Sequence, residues 1–179
     1  LLVEAGGAQA VPALTKALQD AKAAPLARLH ALWTLDGLTM FTPDLARAAM
    51  HDTDARVRAA AVRVASRELA PDLIALTSEE DITVLAQLAI KLTSLNLPEA
   101  DAAAAKLLAQ HAGNTLIREG TLTGLRGREA AFARLLSKEN GATIAGGAGT
   151  SATTGASVFL WPASGCQPST ASMTMKPTT

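Results

Sequence analysis

The chain has few of the residues that support disulfide bonding, metal binding or membrane insertion. Its 179 residues include one cysteine, Cys166, so neither an internal disulfide nor a cysteine metal cage can form within it. Tyrosine is absent and aromatic residues make up only 3%. No apolar run has the length of a transmembrane helix, and the first residues lack the basic and hydrophobic segments of a signal peptide.

The chain also has no excess of charge of either sign. Lys+Arg and Asp+Glu number 16 each, which disfavours a dedicated nucleic-acid or anionic-membrane binder but leaves room for a local basic strip. Alanine and leucine supply most of the apolar content, which suits closely packed helices better than a β-sandwich. Since the chain starts at Leu1 rather than Met, we expect it to be part of a longer polypeptide.

The stretch HDTDARVRAAAVRVASREL, residues 51–69, is the most clearly patterned segment. Asp54 is the expected N-cap, with Asp52 as the alternative. An apolar stripe then follows helical spacing through Val57, Ala61, Val64, Ala65 and Leu69. A helix with such a wide apolar stripe cannot bury itself alone, so the pattern predicts similar neighbouring helices.

Those neighbours are predicted from start and stop signals along the chain. Prolines or capping side chains open the segments, and glycines close several of them, with Gly37 expected to end one helix and Gly124 and Gly127 to bracket a turn. The expected helices cover 8–21, 25–38, 43–50, 51–69, 72–77, the segment after the acids at 78–81, 98–111, the segment after Asn114, and 128–138.

The longer helices share a pattern of small residues. RLHAL at Arg28 aligns with RAAAV at Arg58, LAQLA at Leu85 and REGTL at Arg118, at an offset of roughly 30 residues. Each unit joins a shorter helix to a longer one. The pattern predicts an all-α fold, namely a right-handed α-α superhelix (a solenoid) of about four helix pairs.

The predicted solenoid spans residues 8–138 and is followed by a tail, 139–179. The tail is rich in Gly, Ala, Ser and Thr, and its stretch from 141 onward carries a single charged side chain, Lys176. Such a segment has too little apolar surface to offset its ordering entropy, so we expect disorder there. The apolar patch VFLWP, residues 158–162, is the exception in composition.

The pattern Asp54-x-x-Val57-Arg58-x-x-Ala61 resembles the second-helix signature of HEAT-type repeats. The third unit departs from it with Leu85 in place of the arginine, and the fourth has Asn114 rather than an acid as its cap. The spacing is closer to that of the short, lyase-type HEAT repeats.

A narrower resemblance covers residues 28–136. RLHALWTLDGL, DTDARVRAAAVRVAS, VLAQLAIKLTSL and IREGTLTGLRGREAAFARLL resemble the HEAT region of large bacterial membrane-bound dehydrogenase-like proteins. In that family a β-propeller precedes the repeats, and a c-type cytochrome domain with a haem-attaching CxxCH motif follows them. The resemblance implies a periplasmic or extracytoplasmic location, with haem c and a quinone cofactor in other domains of the parent. This chain has no CxxCH, and Cys166 lies in GCQPS, which excludes covalent haem attachment within it.

No catalytic, cofactor-binding or metal-binding residue is predicted. His30, His51 and His111 lack metal-ligand spacing; we expect His30 to be packed, His51 to be exposed in a turn, and His111 to lie in the last turn of its helix. The acids before helices are explained by capping. Trp33 is expected to anchor the core.

The arginines of residues 51–69 form the one candidate interaction surface, represented by Arg56, Arg63 and Arg67 together with Arg58. Two interpretations stay open for them. They form a solvated face with Asp–Arg contacts between adjacent repeats, or they bind phosphates as in HEAT-like DNA glycosylases. Nearby acids and the zero net charge favour the first.

The resulting hypothesis is a non-catalytic HEAT-repeat scaffold or spacer of a larger, redox-related multidomain protein. Its partners would be other domains of the parent or another protein, without nucleic acid and without direct membrane insertion. A nucleic-acid-binding HEAT module is the first alternative. A lyase-type HEAT protein acting on a bound chromophore is the second.

Overall fold

A computed structural model of the chain describes residues 7–146, and within them the backbone forms α-helices without any β-strand. This confirms the predicted all-α class. Short 3₁₀ turns precede α1 and flank α5. The helices are α1 Val11–Gln19, α2 Pro25–Gly37, α3 Pro43–Met50, α4 Ala55–Val64, α5 Ala70–Ala75, α6 Ile82–Ser94, α7 Pro98–Gln110, α8 Thr115–Leu125 and α9 Glu129–Gly146.

Local side chains explain where most of these helices begin. The oxygen of a capping side chain accepts a hydrogen bond from a backbone N–H of the first turn, which satisfies one of the donors that a helix start leaves open. The caps are Thr42 for α3, Asp54 for α4, Asp81 for α6 and Asn114 for α8. Proline occupies the first turn of α1, α2, α3, α5 and α7, where its missing N–H costs nothing.

The helices pack as successive pairs. The even-numbered helices contact one another in order, α2 with α4, α4 with α6 and α6 with α8. The odd-numbered helices α1, α3, α5 and α7 each contact the even-numbered helix that follows, and α7 also packs on α9. Leucine and alanine side chains fill the spaces between them, including the fully buried Leu32, Leu35, Ala61, Leu85, Leu88, Ala104 and Leu107.

The contact between α6 and α8 depends on two glycines one turn apart. A Cβ atom at Gly120 would lie 2.9 Å from the carbonyl oxygen of Ala86. At Gly124 it would overlap the Thr93 hydroxyl and lie 2.8 Å from the Thr93 Cβ. Gly124 is therefore a helical contact residue rather than part of the predicted turn; the turn contains Gly127, whose φ is +83°.

The predicted helix 51–69 is shorter in the structure. α4 ends at Val64, Ala65 has extended backbone angles, and a separate turn, Arg67–Leu69, leads into α5. A helix continuing through Pro71 would lose a hydrogen bond and bring the proline ring against the carbonyl of Arg67. The chain instead breaks before this point and places Pro71 in the first turn of α5.

The end of α2 also differs from the prediction. Gly37 is its last helical residue, but the left-handed residue that stops the helix is Thr39, with φ of 59°. The Thr39 N–H donates to the Asp36 carbonyl at 2.9 Å, and the Met40 N–H donates to the Leu35 carbonyl at 2.8 Å. These two bonds form a Schellman motif. The left-handed residue of this motif, here Thr39, is usually a glycine.

The last helix crosses the predicted boundary between the helical domain and the tail. α9 runs to Gly146 instead of ending at Lys138. Once a helix is nucleated, each further residue adds a backbone hydrogen bond, and alanines such as Ala142 and Ala145 extend it readily. Residues 147–179, with the VFLWP patch and Cys166, lie outside the part of the chain that the structure describes.

Candidate interaction surface

Arg28 is a charged side chain in the core. Its guanidinium is only 3% exposed and binds the Asp52 carboxylate through two parallel hydrogen bonds, Nε to Oδ2 and Nη2 to Oδ1, each 2.8 Å. It also donates to the Ala23 carbonyl oxygen and, at 3.3 Å, to the Thr53 hydroxyl. Asp52 in turn accepts the N–H of Asp54, the cap of α4, at 2.8 Å. Arg28 thus ties α2 to the start of α4.

The next interface repeats this arrangement. Arg58, on α4, binds the Glu79 carboxylate through Nε at 2.8 Å and Nη2 at 3.0 Å. Its Nη1 donates to the carbonyl oxygens of Asp52 at 2.9 Å and Thr53 at 3.3 Å. Glu79 accepts the N–H of Asp81, the cap of α6, at 3.0 Å. In both linkages the acid lies two residues before a capping aspartate, and the arginine comes from the preceding even-numbered helix.

The two acids are held ionised by these contacts. Burial acts to raise the pKa of Asp52, but the hydrogen bonds from Arg28 and the Asp54 N–H outweigh it, so the pKa lies below its usual value. Burial likewise opposes the Arg58 hydrogen bond at Glu79, and the pKa of Glu79 is again lowered. Both linkages are therefore charged pairs at neutral pH, with good bidentate geometry.

The series of linkages stops at α6. Leu85 occupies the position of the arginine and is fully buried. The glycine contact replaces the charged linkage between α6 and α8. Further along, Arg128 donates to the Asp101 carboxylate and to the Thr93 carbonyl, which joins the start of α9 to α7 and to the end of α6.

Arg58 contacts an acid before the next even-numbered helix, with a glutamate in place of the predicted aspartate, whereas Arg56 makes no such contact. Arg56 binds the cap of its own helix, Asp54, at 3.0 Å through Nε and 2.8 Å through Nη2. These bonds lower the pKa of Asp54 to about 2. The Arg56 side chain is 66% exposed, but a neighbouring carboxylate balances its charge.

Arg63 lies over the ring of Trp33, with its Cζ atom 5.5 Å from the ring centroid. Trp33 is 36% exposed, so the expectation that it anchors the core is wrong. A guanidinium at this distance is attracted by the electron-rich face of the indole. The Lys91 Nζ donates to the Arg63 carbonyl oxygen at 3.1 Å, and burial lowers the pKa of Lys91, although Asp36 opposes the shift.

These contacts bring together side chains of α2, α4 and α6. We call the set Trp33, Arg63 and Lys91 the Trp33 strip. The aligned repeats contain a signal for it, because Trp33 follows Arg28 at the same spacing as Arg63 follows Arg58. The prediction missed it because Trp33 lies at helical spacing among the leucines of α2, which favours a core position.

The other predicted site residues do not form one cluster. Arg67 is exposed on the turn between α4 and α5, so it does not share the helical register of Arg56 and Arg63. His30 is exposed rather than packed, and His51 is exposed as expected. His111 caps the C-terminal end of α7.

Within residues 7–146, His, Cys, Asp and Glu side chains nowhere gather in a group of three or more that could hold a metal ion. None of the described helices has both the length and the apolar character needed to cross a membrane. Comparison with protein-family models, curated proteins and solved structures finds no significant match to the chain. The HEAT-type and dehydrogenase-like resemblances therefore stay predictions.

Proposed function

We propose that the described helices belong to a right-handed, HEAT-type solenoid of about four helix pairs that acts as a non-catalytic scaffold or spacer. In this proposal the scaffold is one segment of a larger, redox-related multidomain protein and docks a neighbouring domain or a partner protein. The observation that carries the proposal is the linkage of Arg28 to Asp52, which recurs with matching partners between Arg58 and Glu79. A linkage repeated at successive interfaces is typical of stacked units that contact only their neighbours.

The Trp33 strip supports the docking role. Tryptophan and arginine are the residue types most enriched among side chains that dominate binding energy at protein interfaces. Part of the Trp33 ring is exposed to solvent beneath the Arg63 guanidinium. Part of the Trp33 strip is therefore in place before a partner binds. The cationic side chains of Arg63, over the ring, and of Lys91, next to the Arg63 backbone, favour a partner surface with carboxylates.

The arrangement of charges disfavours the nucleic-acid alternative. Each phosphate contact needs a cationic group that is available to it, and affinity grows with the number of such contacts. Arg28 and Arg58 are held by largely buried carboxylates, and Arg56 is paired with Asp54. Too few arginines of the predicted surface are left unpaired to follow a duplex backbone.

The proposal can be tested by titrating the chain with the domains that the parent gene encodes on either side of it. We expect binding that weakens by about tenfold when Trp33 and Arg63 are both replaced by serine. Arg47→Ser is the matched control, since this exposed arginine lies on α3 and pairs with Asp44 and Asp72.

Three outcomes would contradict the proposal. Equal binding by the Trp33/Arg63 double variant would remove the docking surface. Turnover of a sugar with an artificial electron acceptor, or bilin absorbance in the chain alone, would remove the non-catalytic role. Salt-dependent binding to duplex DNA that is lost on replacing Arg63 and Arg67 by alanine would favour the nucleic-acid alternative.

A further inference from the structure

The helix α8 carries the arginine of the repeated linkage without its partner. In the alignment of the long helices, Arg118 stands where α2 has Arg28 and α4 has Arg58. The two earlier arginines each bind the acid that precedes the next even-numbered helix. Arg118 is exposed and, among the described residues, pairs with no carboxylate. Among the described residues, Arg118 thus lacks the carboxylate partner that Arg28 and Arg58 have.

The apolar side chain of Leu122, one turn after Arg118, is likewise more exposed than its counterparts on α2 and α4. Leu122 follows Arg118 at the spacing at which Leu32 follows Arg28 and Val62 follows Arg58. Leu32 and Val62 are both fully buried, whereas Leu122 is 55% exposed. Helix α4 packs on α2, and α6 packs on α4, whereas no further even-numbered helix packs on α8 in the described part of the chain.

We propose that Arg118 and Leu122, together the α8 end surface, dock a helix of a partner protein in the way that α4 docks on α2. The docking helix would carry an acidic residue two positions before its N-cap, for Arg118 to bind, and an apolar face for Leu122. This inference rests on the proposed scaffold function and adds the chemistry of the partner. The internal interfaces supply the pattern, since the same two positions meet such a helix start at α4 and at α6.

The charges of this chain disfavour a second copy, or one of its own segments, as the helix that docks on the α8 end surface. At the start of α2, Lys22 and Ala24 stand where α4 has Asp52 and Asp54, so a second copy stacked head to tail would oppose Lys22 to Arg118. The acids before α4 and α6 already bind arginines. Residues 140–179 contain neither Asp nor Glu. These charges favour an acid from outside these 179 residues, which we assign to the partner helix.

The test uses a partner sequence that the chain itself provides. A fluorescent synthetic peptide with the sequence of residues 43–64 carries the acid and the helix that cover Arg28 and Leu32. Titration of the 179-residue chain, followed by fluorescence anisotropy, should show saturable binding. Replacing Arg118 by glutamate should weaken that binding by about tenfold or more, because it opposes two carboxylates. Replacing Asp52 of the peptide by lysine should restore binding to this variant.

Controls separate this surface from the Trp33 strip and from non-specific charge effects. Arg134→Glu, an exposed arginine on α9, and the Trp33/Arg63 double serine variant should both bind the peptide as the unmodified chain does. Absence of saturable binding, or equal affinity of the chain and its Arg118→Glu variant, would overturn the inference. A dimer of the chain that sedimentation detects and Arg118→Glu dissociates would assign the surface to a second copy and also overturn it.

Discussion

Removal of the Arg58 guanidinium should strongly destabilise the helical part of the chain. The Arg58 side chain is 18% exposed and its partner Glu79 is 12% exposed. An Arg58→Leu variant would leave the Glu79 carboxylate with only the backbone N–H groups of Glu80 and Asp81 as donors. It would also take a donor from the carbonyl oxygens of Asp52 and Thr53.

The size of the effect follows from the burial of the pair. Breaking a buried ion pair by removing one partner costs about 3–5 kcal/mol, because an uncompensated charge stays behind. The residual exposure of Glu79 and its two backbone donors place the expected loss at the lower end, about 3 kcal/mol. For a domain of this size the melting midpoint should fall by about 10 °C. Urea unfolding followed by far-ultraviolet circular dichroism measures the change in the free energy of unfolding.

Arg56→Leu is the matched control. Arg56 lies on the same helix and also binds a carboxylate through two hydrogen bonds, but its side chain is 66% exposed. Solvent screens this exposed pair, so the Arg56→Leu variant should unfold at nearly the same urea concentration as the unmodified chain. If Arg58→Leu costs no more than Arg56→Leu, the reasoning from burial is refuted. A double-mutant cycle with Glu79→Leu would then show how much of the loss belongs to the pair.

Three further predictions concern the backbone and the pH dependence. Gly124→Ala should lower the free energy of unfolding by about 2 kcal/mol, since its Cβ would overlap the Thr93 hydroxyl. The control, Gly113→Ala, should leave urea unfolding nearly unchanged, because no atom lies within 4 Å of the added Cβ. Equal effects of the two substitutions would contradict the close contact between α6 and α8. Thr39→Gly should raise stability by about 1 kcal/mol in the same assay, because glycine adopts the φ of 59° without strain, and a loss would refute this. The contribution of Asp52 is fully present above its ordinary pKa of 3.8 and is lost as the pH falls through its lowered pKa. Asp52→Asn should therefore flatten the fall in stability in acid, and an unchanged pH profile would be the contrary result.

Sequence reasoning succeeded where a structure depends on residues close together in the chain. The caps Asp54 and Asn114 were predicted because a side chain and the N–H two or three residues later meet without help from any other helix. The partial success at Arg58 came from an acid that the sequence places before the next long helix. The misplaced end of α4 came from extending the apolar period to Leu69, past Ala65, where the backbone leaves the helical conformation.

The exposure of Trp33 and the close packing at Gly124 could not be predicted from residues near them in the chain. Whether Trp33 is covered depends on how far α4 lies from α2, and nothing in the local pattern states that distance. The role of Gly124 likewise depends on the approach of Thr93 from α6, which only the tertiary structure defines.

The sequence by itself therefore determined the all-α class, the helix starts and the alignment that relates Arg28, Arg58 and Arg118. It could do so because capping, proline geometry and helical periodicity act within a few residues. The tertiary structure decided which of these arginines are shielded from solvent and paired with an acid, because both depend on the neighbour that packs beside each helix. Arg28 and Arg58 have such a neighbour with an acid at the right place, and Arg118, in the same position on α8, is exposed.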